Sequence, residues 1–108
     1  MSKANYVQRG EVIDYKNVTA SAIVANEVVE LATRIGVAAT EIPVGAVGGL
    51  NVMGVFDIPA DTTEAFTAGQ TVYYKGGKIT STEADAIPAG YAVVAKATAG
   101  AVARVKID

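Results

Sequence analysis

At 108 residues and 11.0 kDa, the chain has room for one modest core, with roughly 65% of the unfolded chain's surface buried on folding. Its net charge of −2, with nine basic residues scattered among eleven acidic ones, argues against nucleic-acid binding driven by phosphate neutralisation. The absence of Cys and His excludes a disulfide framework, a thiol nucleophile, thiolate or imidazole metal sites, and any Ser-His-Asp arrangement around Ser2, Ser21 or Ser81.

The apolar half of the composition is made of 20 Ala, 16 Val and 8 Ile with only two Leu, and branching at Cβ favours pleated sheet over helix. From the N-terminus, the start Met1-Ser2-Lys3-Ala4-Asn5 has no apolar signal core, and no stretch approaches the ~20 apolar residues of a membrane span. A soluble protein made in the cytoplasm is expected. Val7 to Tyr15 forms the first candidate strand, with Gly10 as a bulge. A turn at Lys16-Asn17 leads to three short strands, Ala22–Val24, Val28–Leu31 and Arg34–Ala38. The sequon Asn17-Val18-Thr19 reads as a turn. Gly45-Ala46-Val47-Gly48-Gly49 fits no phosphate-binding fingerprint and reads as backbone turn.

Leu50 to Phe56 is apolar on both faces and is expected as one covered strand. Asp57, Asp61 and Glu64 form the nearest approach to a catalytic or hard-cation cluster, but nothing around them supplies a partner or a pocket, and a solvated loop is the reading taken. Helix is confined to at most one turn near 62–68, where Asp61 would cap and Gly69 would terminate. Gln70 to Lys75 and Lys78 to Thr80, joined by Gly76-Gly77, predict a tight hairpin in which Tyr73 and Tyr74 point to opposite faces. Ala101 to Asp108 alternates, with Ala103, Val105 and Ile107 inward. Val28 to Gly45 faintly repeats in Val72 to Gly90, each ending in an Ile-Pro-x-Gly sequence suited to a tight reversal.

The resulting expectation is one all-β domain over 1–108, a small barrel or sandwich of short, mostly antiparallel strands with tight Gly/Pro turns. Residues 1–9 are an extended N-terminal arm in one reading and a plain edge strand in the other. A core this thin makes self-association favourable.

Four stretches in order, Asn5 to Val12, Ile35 to Ala38, Ile42 to Gly45 leading to Gly54-Val55-Phe56-Asp57-Ile58-Pro59, and Gly69 to Tyr74, followed by Gly90-Tyr91-Ala92 and Val102 to Ile107, resemble the tailed-phage capsid cement or decoration proteins. Members often carry Lys directly after the Pro of the Gly-Val-Phe segment, and Ala60 stands there in this chain. The resemblance implies a virion structural protein on the capsid exterior that stabilises the head. It also implies the major capsid protein as partner and a homo-oligomer, a trimer being favoured. No enzyme activity, cofactor, metal, nucleic acid or membrane is implied. Lys3, Asn5, Tyr6, Val7, Gln8 and Arg9 are the candidate capsid contacts, laid along a capsid sheet edge by strand addition. The alternative function is a carbohydrate- or host-surface-binding β module.

Overall fold

The computed structural model describes residues 2–107; Met1 of the expected arm and Asp108 of the last expected strand lie outside them. Nine strands and no helix occur among the described residues: β1 Val12–Lys16, β2 Val28–Glu30, β3 Ile35–Ala38, β4 Val47–Asn51, β5 Gly54–Pro59, β6 Thr71–Lys75, β7 Lys78–Thr80, β8 Ile87–Ala92 and β9 Val102–Ile107. They form two antiparallel sheets in the orders β1-β4-β3-β2 and β5-β9-β8-β6-β7. The arrangement is sandwich-like and flat, 42 × 40 × 23 Å. A single bridge between Ala60 and Ile79 draws the ends of the second sheet together without closing a barrel.

Each sheet comes from one half of the chain, and the halves share a topology. With β7 set aside as an added hairpin strand, β1-β4-β3-β2 corresponds to β5-β9-β8-β6. The hydrogen bonds outside the ladders repeat with it. Asn26 N donates to Ala38 O at 2.8 Å and Gly69 N to Ala92 O at 2.7 Å; Ala38 N donates to Glu27 O and Ala92 N to Gln70 O, both at 2.9 Å; Ala39 N donates to Gly49 O and Val93 N to Arg104 O, both at 2.9 Å. The bridge Ile23–Ile42 in the first half is matched by Phe66–Lys96 in the second. Four β-turns follow these bridging residues, over 24–27, 43–46, 67–70 and 97–100. In the first three, the third position has a positive φ, supplied by Asn26, Gly45 and Gly69, residue types that tolerate it.

The cores follow the same division. Ile23, Val29, Ala38, Ile42 and Leu50 pack on one face of the first sheet. Ile58, Phe66, Val72, Tyr74, Ile79, Ala92, Val105 and others fill the second, and Ile35 and Val37 from the opposite face of β3 join that larger cluster. Strand β3 is therefore buried along its whole length, which explains its Ile-Gly-Val-Ala sequence with no polar residue.

Several expected boundaries shift. The strand expected over Val7–Tyr15 begins only at Val12, with a bend at Gly10 and Glu11 before it. Ala22–Val24 reduces to the single bridge at Ile23. Leu50 to Phe56 is not one strand: β4 ends at Asn51, and β5 starts at Gly54 in the other sheet. A run apolar on both faces suits this junction because its two ends feed different cores. The repeat of Ile-Pro-x-Gly reversals also fails in part, since Ile42–Gly45 enters a turn but Ile87–Gly90 lies within β8. There Val72 pairs with Gly90 and Tyr73 with Pro88, leaving Ala89 as a bulge, the irregularity at which a sheet accommodates proline. The Gln70–Thr80 hairpin forms as expected, with Gly76 at φ 60° and Gly77 at φ 84°.

Candidate functional site

Residues 2 to 10, which include the candidate contacts Lys3, Asn5, Tyr6, Val7, Gln8 and Arg9, are exposed and belong to no strand. Tyr6 and Val7 are 84% and 85% exposed, so the segment presents apolar side chains that its own domain does not cover. The Gln8 amide Nε2 donates to Val12 O at 3.2 Å. Beyond Glu11, whose carbonyl accepts from Val52 N at 2.9 Å, the chain enters β1, the edge strand of the first sheet.

The outward faces of the two edge regions carry most of the exposed apolar side chains inside the sheets. In the first, β1 and β4 pair Val12 with Asn51, Asp14 with Gly49 and Lys16 with Val47. In the second, β5 and β9 pair Val55 with Lys106, Asp57 with Arg104 and Pro59 with Val102. Arg104 donates from Nε to Asp57 Oδ1 at 3.0 Å and from Nη2 to Oδ2 at 3.3 Å. This guanidinium lowers the Asp57 carboxyl pKa and is itself raised by the carboxylate. Lys106 Nζ lies 5.9 Å from the Tyr91 ring centre, a cation-π distance. Tyr91 is thus outward, while Tyr74 is buried and Tyr73 sits on the opposite face. Tyr73 donates its hydroxyl to Glu83 Oε2 at 3.1 Å, and that contact raises its pKa.

The three carboxylates singled out from the sequence do not converge. Asp57 belongs to the β5–β9 pair. Asp61 closes a local turn, accepting from Thr63 N at 2.8 Å and from the Thr63 hydroxyl, contacts that lower its pKa. Glu64 accepts from Ser81 N at 2.8 Å, Thr80 Oγ1 at 2.7 Å and Thr82 Oγ1 at 3.1 Å. The Ser81 amide, then the Thr80 hydroxyl, lower its pKa most. Asp61 and Glu64 line one groove with Lys75, Lys78, Thr80 and Thr82, each carboxylate already engaged by hydroxyl and amide donors of its own neighbourhood. Among the described residues, no group of three acidic side chains is placed to hold a metal ion.

Two buried polar side chains escaped sequence reasoning. Asn17 is fully buried; its Nδ2 donates to Ser21 O and Ile42 O, both at 2.9 Å, and its Oδ1 accepts from Thr19 N at 2.9 Å and Thr19 Oγ1 at 2.6 Å. The Asn-x-Thr sequon is thus a structural turn, and Asp61-Thr62-Thr63 forms a turn of the same kind one position further along the second half. Lys96 is 7% exposed and donates from Nζ to the carbonyls of Glu64, Ala97 at 3.0 Å and Thr98 at 3.2 Å. It stands 5.1 Å from the Phe66 ring centre. Its role is to cap carbonyls at a chain crossing, the satisfaction a buried ammonium requires.

The surface offers extended backbone at the edge strands and exposed valines on the outer faces of both sheets. A search of curated proteins and a search of solved structures each found no match. A family model described as phage cement protein matches residues 7–107, nearly the whole of a chain with this sandwich-like β architecture. The chain belongs to the phage cement protein family, whose members have a structural role in association with the phage capsid.

Proposed function

We propose that the chain binds the outer surface of an assembled phage head and stabilises the shell by bridging copies of the major capsid protein. Membership of the cement family carries this reading. The flat shape and the exposed N-terminal residues support it, because a thin plate adds contact area over a shell at little height. Each chain is one unit with residues 1–9 as an arm. Lys3 to Arg9 add as a strand to a capsid sheet edge, where backbone hydrogen bonds give affinity and Tyr6 and Val7 gain cover. Three chains associate around a local threefold point, so several modest contacts act together as avidity. The protein is made in the bacterial host cytoplasm and resides on the virion exterior.

The test uses expanded heads made from the cognate capsid protein. The full chain is expected to co-sediment with heads and to raise the temperature at which the shells come apart, while a glycan array gives no signal. Removal of residues 2–9 is expected to weaken head binding at least tenfold with the thermal unfolding of the free chain unchanged. Undiminished binding by the folded truncation ends the arm proposal, and binding to glycans rather than heads favours the surface-binding module instead. Light scattering of the free and released chain measures whether three copies associate.

A further inference from the structure

The two edge regions match position by position. β1 sets Val12, Asp14 and Lys16 outward where β5 sets Val55, Asp57 and Pro59. Across each ladder stand Asn51, Gly49 and Val47 in the first half and Lys106, Arg104 and Val102 in the second. Val12, Val47, Val55 and Val102 are 43%, 62%, 52% and 53% exposed. Beneath them the inward side chains differ: Ile13, Tyr15 and Leu50 against Phe56, Ile58 and Val105. The Val-Asp-Val set therefore recurs on the outer face, where core packing demands nothing of it.

The second edge is closed and the first is open. Pro59 offers no N–H to an added strand, Ala60 bridges Ile79, and Asp57 is held by Arg104. At the first edge Lys16 stands where Pro59 does and Gly49 where Arg104 does. Among the described residues, none forms a hydrogen bond or ion pair with the Asp14 carboxylate. The β1–β4 ladder is flanked by Val52 N to Glu11 O and Asn17 N to Ala46 O, so alternation turns the backbone groups of Val12, Asp14 and Lys16 to the open side. Among the described residues, the contact met there is the Gln8 amide on Val12 O, an exposed bond that a partner's backbone N–H replaces.

We propose that the open edge of β1 is a docking strand for an extended, basic segment of the capsid protein, which pairs with Val12–Lys16 and sets an Arg or Lys on Asp14. This rests on the capsid reading above. The Arg104–Asp57 pair shows, within the same chain, the contact that the partner completes in the first half. The site also adjoins Lys3–Arg9 in sequence, and the apolar side chains of the added strand meet Val12, the exposed valine of the edge strand itself.

The experiment transplants the closed edge onto the open one in the full chain, as Gly49→Arg with Lys16→Pro, and reads binding to expanded heads. A Cβ at Gly49 meets Val12 Cγ1 at 3.2 Å and Ala39 Cβ at 3.6 Å without a positive φ, so Val12 yields by a few tenths of an ångström. A second variant, Asp14→Arg, changes only an exposed side chain. Both are expected to bind heads at least tenfold more weakly than the parent chain, with unfolding temperatures of the free chain close to the parent's. Parent-like head binding by Asp14→Arg, or by a folded Gly49→Arg/Lys16→Pro chain, overturns the docking strand. A change confined to the chain's own mass in solution overturns it as well, because the occupant is then a second copy. Heads that do not bind the parent overturn the capsid reading together with this one.

Discussion

Gly36 and Gly90 hold the same place in the two halves, each where a neighbouring strand passes too close for a side chain. At Gly36 a Cβ would meet Leu50 side-chain carbons at 2.7 Å; at Gly90 it would meet the Lys106 carbonyl oxygen at 2.0 Å, on a backbone with φ of 133°. The first obstacle is chiefly the buried Leu50 side chain, with the Asn51 carbonyl oxygen at 3.2 Å. The second is backbone. Gly90→Ala is therefore expected to cost about 3 kcal/mol or more, and Gly36→Ala about 1–3 kcal/mol from overpacking. Denaturant unfolding of the two variants checks the order, and equal losses would contradict it.

Asn17 and Asp61 each close a turn onto a threonine two residues on, at different depths. Asn17→Ala strips Ser21 O and Ile42 O of their buried donor and is expected to cost about 2–3 kcal/mol. Asp61→Ala removes an exposed contact to Thr63 and is expected to cost clearly less. Thermal unfolding of the pair measures the difference.

Lys96 occupies the position that Ile42 fills in the first half. Lys96→Met keeps the stem but leaves the carbonyls of Glu64, Ala97 and Thr98 without their donor. A loss of about 1–3 kcal/mol is expected. An unchanged midpoint in urea would show that water caps these carbonyls as well as the ammonium does.

Glu64 sets an acid limit. Its pKa lies below the ordinary value of 4.5, chiefly through the Ser81 amide and the Thr80 hydroxyl. A carboxylate with a depressed folded pKa stabilises fully above its unfolded pKa, and that contribution fades as pH falls through the folded value. Stability should therefore hold above about pH 5 and decline below 4.5. Glu64→Gln should flatten that decline and cost about 1 kcal/mol at neutral pH, a figure kept small by solvent screening. Equilibrium unfolding at several pH values tests both statements.

The parts of the fold that were legible in the sequence are those whose local chemistry allows one answer. Gly76-Gly77 between β-branched and aromatic runs specifies the β6–β7 hairpin, and alternation specifies β9. The β4–β5 junction was hidden because Val52 and Met53 are as apolar as the strands they join. Strand β8 was hidden because Ile-Pro-Ala-Gly carries turn chemistry, which the sheet uses for a bulge instead. Exposure of Tyr6 and Val7 fits an N-terminal segment with no apolar periodicity. The contrast between Asp14 and Asp57 depends on which residue lies across the ladder, Gly49 or Arg104, and pairing across 35 or 47 residues leaves no local trace.

Because every strand of the first sheet precedes Val52 and every strand of the second follows Met53, the backbone crosses between sheets once. A nick at that crossing would yield two fragments, each with a complete set of hydrogen-bonded neighbours. Ile35 and Val37, seated in the larger cluster, would be the apolar key by which the severed pieces find one another again.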